Sequence, residues 1–342
     1  MSAGETGIEK IVRISFDELD WEFQRVLLKI GFESEKAKMC AHIFAENTLI
    51  GVNTHGVNRF PRFVRYVQEG FVKPHAEPQL RHKAGAIEQW DGCLGPGPLN
   101  ALRCTERAME LAREHGMGGV ALSNTNHWMR GGFYGWKAAT AGFGFIGWTN
   151  TTSNMPAWGA TDPRVGNNPL VLGFPGGETP VVLDMAMSQF SYGTVEQYDR
   201  RGQLLPMPGG FDAHGVLTAN ASAILDSRRL LPMGYWKGSG LALLLDLLAA
   251  ALSGGLPTVD ISKRKDEYGL SQVFIAFDIS KLATRNQMAN LVGTVIEDLH
   301  RSIPDGDGEV IYPGERVKRT RAENMLKGIP VDASIWAEVL IL

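Results

Sequence analysis

The period of the hydrophobic pattern changes once along the chain, near Val72, and this change rules out both an all-helical and an all-β protein. Before it, apolar residues recur at helical spacing. Ser15 stands three residues before Glu18, a capping-box spacing, and Phe16, Leu19, Phe23, Val26, Leu27 and Ile30 share one face up to a stop at Gly31. A second helix follows Ser34, with Ala37, Cys40, Ala41, Phe44 and Thr48 in step until Gly51. A third is expected from Arg59 to Glu69, with Phe60, Phe63, Val64 and Val67 inward and Gly70 as its stop. The stretch up to Val72 therefore reads as all-helical.

Beyond Val72 short β runs lie between glycines and prolines, at 86–90, 118–122, 143–149, 170–174 and 181–185. Helical patterns at 99–114 and 132–141 interrupt them, so the class is mixed, α+β. The segment 202–219 is rich in Gly and Pro without a period and reads as a surface loop. An apolar helix after Lys237, a strand at 272–277, a helix at 286–300 and a closing helical pair from Arg316 complete the chain. The expected division is 1–74 helical, 75–240 sheet-containing and 241–342 helical with one or two strands.

Gly142-Phe-Gly144-Phe-Ile-Gly147 matches the dinucleotide fingerprint G-x-G-x-x-G letter for letter. That fingerprint requires a strand before it and a helix after it, so that a helix N-terminus meets the pyrophosphate. Here a helix precedes, Gly142 is placed as its stop, and a strand follows. The chain reads as non-Rossmann. Patterns for Walker A, H-E-x-x-H, G-x-S-x-G and EF-hand chemistry do not occur.

At 342 residues the chain is long enough for two cores, and 44% hydrophobic with 21% charged residues is an ordinary globular composition. A net charge of -3 without basic clusters argues against a nucleic-acid partner. Cys40, Cys93 and Cys104 form neither a disulfide framework nor a thiolate zinc pattern, so no metal is expected and a reducing, cytoplasmic setting fits. Met1–Lys10 is polar, and the longest apolar run, Leu241–Leu252, holds Asp246 and is too short to span a bilayer. It reads as a buried core helix, with no membrane partner.

Two polar clusters carry chemistry. In Asn53-Thr54-His55-Gly56-Val57-Asn58-Arg59, a turn between helices places an imidazole four residues from a guanidinium. Histidine delivers a proton near neutral pH and arginine offers a planar fork to a carboxylate, which suits a 2-oxo acid. The same residues also allow a helix-capping histidine beside solvated arginines. In Asn124-Thr125-Asn126-His127-Trp128-Met129-Arg130-Gly131-Gly132, polar and aromatic side chains crowd the C-terminal end of a strand, a common place for ligands. A polar turn around a half-buried tryptophan is the plainer alternative. Weaker signals are the amide-rich 158–169 loop with Asn167, Asp184 at the end of an apolar strand, and Trp236-Lys237-Gly238 at a helix N-terminus able to meet an anion.

Taken together, T-H-G-V-N-R-F, N-H-W-M-R-G-G, V-G-N-N-P, V-V-L-D-M-A and M-G-Y-W-K-G-S-G resemble the malate and L-lactate dehydrogenase-like oxidoreductases that lack a Rossmann fold. The resemblance runs from about Ser15 to the C-terminus. It implies a homodimer with a mostly antiparallel sheet flanked by helices, and a helical domain built from both chain ends. It implies NAD, or NADP, and reduction of a 2-oxo carboxylate to a 2-hydroxy acid, with 2,3-diketo-L-gulonate giving 3-keto-L-gulonate as the substrate pair. Oxidation of malate, L-lactate, sulfolactate or ureidoglycolate is the alternative within the family. By resemblance His55 is the proton donor, Thr54 and Asp184 belong to its relay, and Arg59, His127 and Asn167 meet the substrate. The cofactor falls to His127, Trp128, Met129, Arg130 and Gly131, to Pro180, Val181, Val182, Leu183, Asp184, Met185 and Ala186, to Trp236 and Lys237, and to Gly314, Glu315 and Arg316. Asn167 stands where relatives often have threonine, and Thr54 where they often have serine. On residue types alone, a hydrolase using Thr54, His55 and Asp184, or a non-catalytic scaffold, remains open.

Overall fold

A computed structural model describes residues 10–176, 179–306 and 308–342; most of the polar N-terminal stretch lies outside the described residues. The helical layer is built by α1 (Phe16–Lys29), α2 (Ser34–Leu49) and α3 (Phe60–Gln68). Ser15 Oγ accepts from the Glu18 N–H at 3.2 Å, as the cap spacing requires. Phe23, Phe44 and Phe60 meet at the centre of this layer, Phe23 and Phe60 with ring centroids 4.2 Å apart. Truncating any of them to Ala costs about 3–5 kcal/mol, and Phe60 directly follows Arg59.

The layer is not all-helical. Strand β1 (Ile11–Ile14) pairs antiparallel with the C-terminal strand Ile329–Asp332, tying the chain ends together. The last helix, Ala333–Ile341, then buries Trp336 and Val339 in the same core.

The seven-stranded sheet contains β2 (Gln79–Ala84), β3 (Ile87–Asp91), β4 (Met117–Thr125), β5 (Phe143–Thr149), β6 (Leu170–Phe174), β7 (Val181–Met185) and β8 (Leu270–Asp278). Its order is β2-β3-β4-β8-β5-β6-β7, and every pairing is antiparallel except β3 with β4. The period-2 alternation sorts side chains to opposite faces. Val120 and Leu122 of β4 with Phe274 and Ala276 of β8 face the core under α4 (Gly97–His115) and α5 (Gly132–Thr140). Ala121 and Val273 face a separate core with Ala242, Leu245 and Ala249. Gly142 has φ +90° as α5 stops, and Gly144 and Gly147 lie within β5, so the glycine fingerprint is the helix-to-strand turn its order implies.

The apolar run lies in the helix Trp236–Ser253, which spans the expected 240/241 division, and β8, farther along, sits in mid-sheet. With all eighteen residues it is, by length and composition, long and apolar enough to cross a bilayer, unlike Leu241–Leu252 alone. It is also only half a core helix. Buried Asp246 accepts from Asn150 Nδ2 at 2.9 Å and Thr258 N–H at 2.8 Å, while Leu243, Leu244, Leu247 and Leu248 are exposed. The 202–219 loop contains a short hairpin pairing Gly210–Phe211 with Leu217–Thr218.

Candidate active site

The turn after α2 forms one wall of a cleft. The Thr48 hydroxyl donates to Phe44 O at 2.8 Å and accepts from Val57 N–H at 3.0 Å, and Asn47 Nδ2 donates to His55 O at 3.1 Å. These bonds hold two 3₁₀ turns, Asn53–His55 and Val57–Arg59. Gly56 between them packs against Thr48 and Phe44 with no room for a Cβ. Thr54, His55 and Arg59 are thereby delivered to a cavity of ≈ 640 Å³, a size that suits a small molecule.

Strand ends form the other wall. After β4, Asn126 Nδ2 donates to the carbonyls of Phe71, Leu94 and Gly95, each at 3.0 Å, and Gln272 Nε2 donates to Asn126 O at 3.1 Å. This anchors the stretch carrying His127, whose ring lies nearly parallel to that of His55, centroids 5.7 Å apart. Met129 N–H donates to His127 Nδ1 at 3.0 Å. The Trp128 and Met129 side chains are buried in the two cores, which leaves little of either to a ligand. Arg130 Nε stands 3.6 Å from Asp184 Oδ2, which also accepts the Gly132 N–H at 2.8 Å. Thr54 Oγ1 is 3.1 Å from His55 Nδ1; the polar contacts of Asp184 are with Gly132 and Arg130.

Burial acts first on the electrostatics. It holds His55 well below the usual histidine range, reinforced by His127, Arg59 and Arg130 and opposed by Glu267. It does the same to His127, with Arg59 and Arg62 adding to the effect. Burial outweighs the attraction between Asp184 and Arg130, raising the carboxyl and lowering the guanidinium. In the free protein burial thus favours the neutral form of both imidazoles.

Asn167 belongs to the wall as a node: its Oδ1 accepts from Thr151 Oγ1 at 3.2 Å and Asn154 Nδ2 at 3.1 Å, leaving its NH2 for a ligand. Asp184, Ala186 and His127 to Gly131 line the same cavity. Pro180–Leu183, Met185, Trp236, Lys237 and Gly314–Arg316 do not. Two of these segments meet each other, Val182 N–H donating to Pro313 O at 2.9 Å. Gly314 has φ +101°, and a Cβ there would stand 3.3 Å from Val182 N and 3.4 Å from the Trp136 ring, whose buried Nε1 has no partner among the described residues. Glu315 accepts from Tyr312 N–H at 3.0 Å and lies 3.1 Å from His300 Nε2. Trp236 is exposed where its helix begins.

The cavity also gathers residues that sequence reading passed over: Tyr66, Thr151–Asn154, Ser191–Thr194 and Glu267. Glu267 Oε2 accepts from the N–H and hydroxyl of Thr152, both at 3.1 Å, and its Oε1 lies 3.7 Å from Arg59 Nη2. The polar run Thr149-Asn-Thr-Thr-Ser-Asn154, at the end of an apolar strand, is the same signal that marks Asn124–His127.

The model of the malate/L-lactate dehydrogenase family matches residues 14–340. A 2,3-diketo-L-gulonate reductase of Klebsiella pneumoniae is 46% identical over 336 residues, covering 97% of this chain and 100% of the relative. One of Escherichia coli is 44% identical over the same length and shares. The crystal structure of a malate dehydrogenase from Entamoeba histolytica superposes with a TM-score of 0.92 at 25% identity, covering 96% of each chain. A match of this extent, on a non-Rossmann sheet of the same shape, means that the chain belongs to the malate/L-lactate dehydrogenase family of oxidoreductases.

Proposed function

We propose that the protein reduces a 2-oxo carboxylate to a 2-hydroxy acid with a nicotinamide dinucleotide, and that 2,3-diketo-L-gulonate, giving 3-keto-L-gulonate, is its substrate. The observation that carries the reading is the convergence of His55, Arg59 and His127 on one cavity whose remaining wall is rich in hydroxyls and amides: Thr151, Thr152, Ser153, Asn154, Asn167 and Thr194. A polyhydroxy chain finds donors and acceptors along such a wall. The names of the relatives support the same substrate.

A dinucleotide fits the residues present. Gly131, which lines the cavity, has no room for a Cβ against the Trp128 ring and Val171, nor has Gly132 against Asp184 and Arg130, and Gly314 stands beside Val182 and Trp136, whose buried Nε1 has no partner among the described residues. His127–Gly131, Pro180–Ala186 and Gly314–Arg316 would hold it, with Trp236 and Lys237 contributing from their own helix. When bound, a reduced nicotinamide supplies the hydride that C2 of the substrate accepts. Arg59 takes the substrate carboxylate in its planar fork, fixing the face of the carbonyl presented. His55 gives its proton to the carbonyl oxygen. Burial, then His127 and Arg59, hold His55 below its usual range in the free protein, and an anionic substrate that offsets the Arg59 charge favours the protonated form. Thr54 orients the imidazole through Nδ1.

Homodimerisation belongs to the same reading. The exposed Leu243, Leu244, Leu247 and Leu248 form an apolar face of the kind that subunit contacts cover. Sedimentation at working concentration checks it, since a monomer contradicts it. The test of function is to follow NADH and NADPH oxidation separately against a panel of 2-oxo acids including oxaloacetate, pyruvate and 2,3-diketo-L-gulonate. Preference for the last is the expected result; no oxidation with any 2-oxo acid overturns the reading.

A further inference from the structure

Charge is distributed unevenly inside the cavity, and Glu267 stands where that distribution meets a substrate. It lies on the segment between the short helix Thr258–Ile261 and β8, which is fixed from both walls. Ser262 Oγ, at the start of the segment, accepts from the Ser153 N–H at 2.8 Å and from the Ser153 hydroxyl at 2.7 Å. Asp266 pairs with Arg65 of α3 at 3.1 Å, and the Tyr268 ring stacks on that of Phe71 with centroids 4.8 Å apart. The contacts on either side set the position of Glu267 between them.

Its two carboxylate oxygens have different surroundings. Oε2 accepts from the N–H and the hydroxyl of Thr152, both at 3.1 Å. Oε1 stands 3.7 Å from Arg59 Nη2, within reach of an ion pair but too far for a hydrogen bond. The pair therefore leaves Oε1 able to accept and the guanidinium fork able to donate. With 15% of the Glu267 side chain exposed, water screens its charge little. The other charges lining the cavity are engaged or screened elsewhere: Arg130 stands beside Asp184, Arg62 lies 3.5 Å from Glu196, and Arg264 Nη1 donates to Tyr268 O at 2.8 Å. Lys265 and Arg228 are exposed. Once Arg59 holds a C1 carboxylate, no buried cation among the described residues of the cavity is left unpaired to offset a second anionic group.

We propose that Glu267 is a specificity-determining residue, which accepts a hydroxyl of the substrate chain at Oε1 and rejects 2-oxo acids that carry a second negative charge. The inference rests on the 2-oxo acid reading above and divides that class by charge. A hydroxyl is neutral and donates to a carboxylate, so a hydroxylated monoacid meets Arg59 and Glu267 together. A second carboxylate can only accept, and beside Glu267 it sets like charges against each other in a poorly solvated cleft. Oxaloacetate is such a dianion.

Four-carbon 2-oxo acids that differ only at C4 read the proposal: 4-hydroxy-2-oxobutanoate ends in a hydroxymethyl group, 2-oxobutanoate in a methyl group and oxaloacetate in a carboxylate. At saturating reduced cofactor, kcat/KM of the parent should rank the hydroxyl above the methyl and the methyl above the carboxylate. Glu267→Gln keeps the length of the side chain and removes its charge. Its ratio of oxaloacetate to 2-oxobutanoate should rise roughly 10-fold to 100-fold over that of the parent, whereas loosened packing would lower both rates alike. Glu267→Asp, which keeps the charge, should stay closer to the parent ratio than Glu267→Gln does. The parent ranking decides even where the variants do not fold. An active parent that takes oxaloacetate as readily as 2-oxobutanoate, or gains nothing from the hydroxyl, overturns the inference alone, as does an unchanged ratio in Glu267→Gln. A parent inert toward every 2-oxo acid overturns the reading beneath it.

Discussion

The two walls of the cleft are built by different means. On the helical side, Thr54, His55 and Arg59 sit in two 3₁₀ turns without a ladder, held by side-chain bonds from Asn47 and Thr48. On the sheet side, His127, Arg130 and Asp184 are at or beside the ends of paired strands, held by the buried amides of Asn126 and Gln272 and by the Gly132 N–H. On the function proposed above, the proton donor stands on the helical wall, beside a hydroxyl that can donate or accept, and the strand ends supply the facing wall.

The sharpest way to break this comparison is His55→Ala, which should lower turnover about 100-fold to 10,000-fold while cofactor binding, measured by fluorescence titration, stays nearly intact. Turnover within a few-fold of the parent would remove the proton-carrying role from the helical wall. Next in size is Arg59→Lys, which keeps the charge and loses the fork. It should lower kcat/KM for a 2-oxo acid roughly 10-fold to 100-fold, and should narrow the preference for the acid over its uncharged amide. A variant that discriminates as well as the parent would transfer the carboxylate to another cation.

A smaller effect is expected from Glu267→Gln. Glu267 favours the charged form of His55, so its loss lowers the His55 pKa further, and the falling limb of reduction against pH should move to lower pH. An unmoved limb would separate Glu267 from the proton chemistry. The smallest effect belongs to Gly144→Ala in β5, where an added Cβ would stand 3.3 Å from Ile279. Cofactor affinity should stay close to that of the parent, and selective loss of it in a folded variant would return the glycine fingerprint to a phosphate-binding role.

The same contrast explains what was legible in the sequence. The helices of the first layer and the interior strands announce themselves because each buries one side, giving clean periods of 3.6 and 2. His55 and Arg59 stand out as chemistry-bearing types in a short turn. Glu267 does not, because Ser262-Lys-Arg-Lys-Asp-Glu267 has the composition of a solvated face, and only the fold brings it to Arg59. Strand β1 is four residues long and pairs with the opposite end of the chain, and β2 is exposed along its whole length, so neither has a pattern to read. The helix Trp236–Ser253 misleads for the opposite reason: apolar on all sides, it imitates a fully buried helix, while Leu243, Leu244, Leu247 and Leu248 face outward.

The most direct test of the account is the pH dependence of reduction in the parent and in His55→Gln, at saturating reduced cofactor. Burial, His127 and Arg59 hold His55 below its usual range in the free protein, and reduction consumes the protonated form, so kcat/KM should fall as pH rises through a midpoint below that range. The limb in kcat should lie at higher pH, because the bound carboxylate offsets the Arg59 charge and raises the His55 pKa. In His55→Gln the limb should vanish together with most of the turnover. A limb that survives unchanged in His55→Gln would contradict the assignment of the proton to His55.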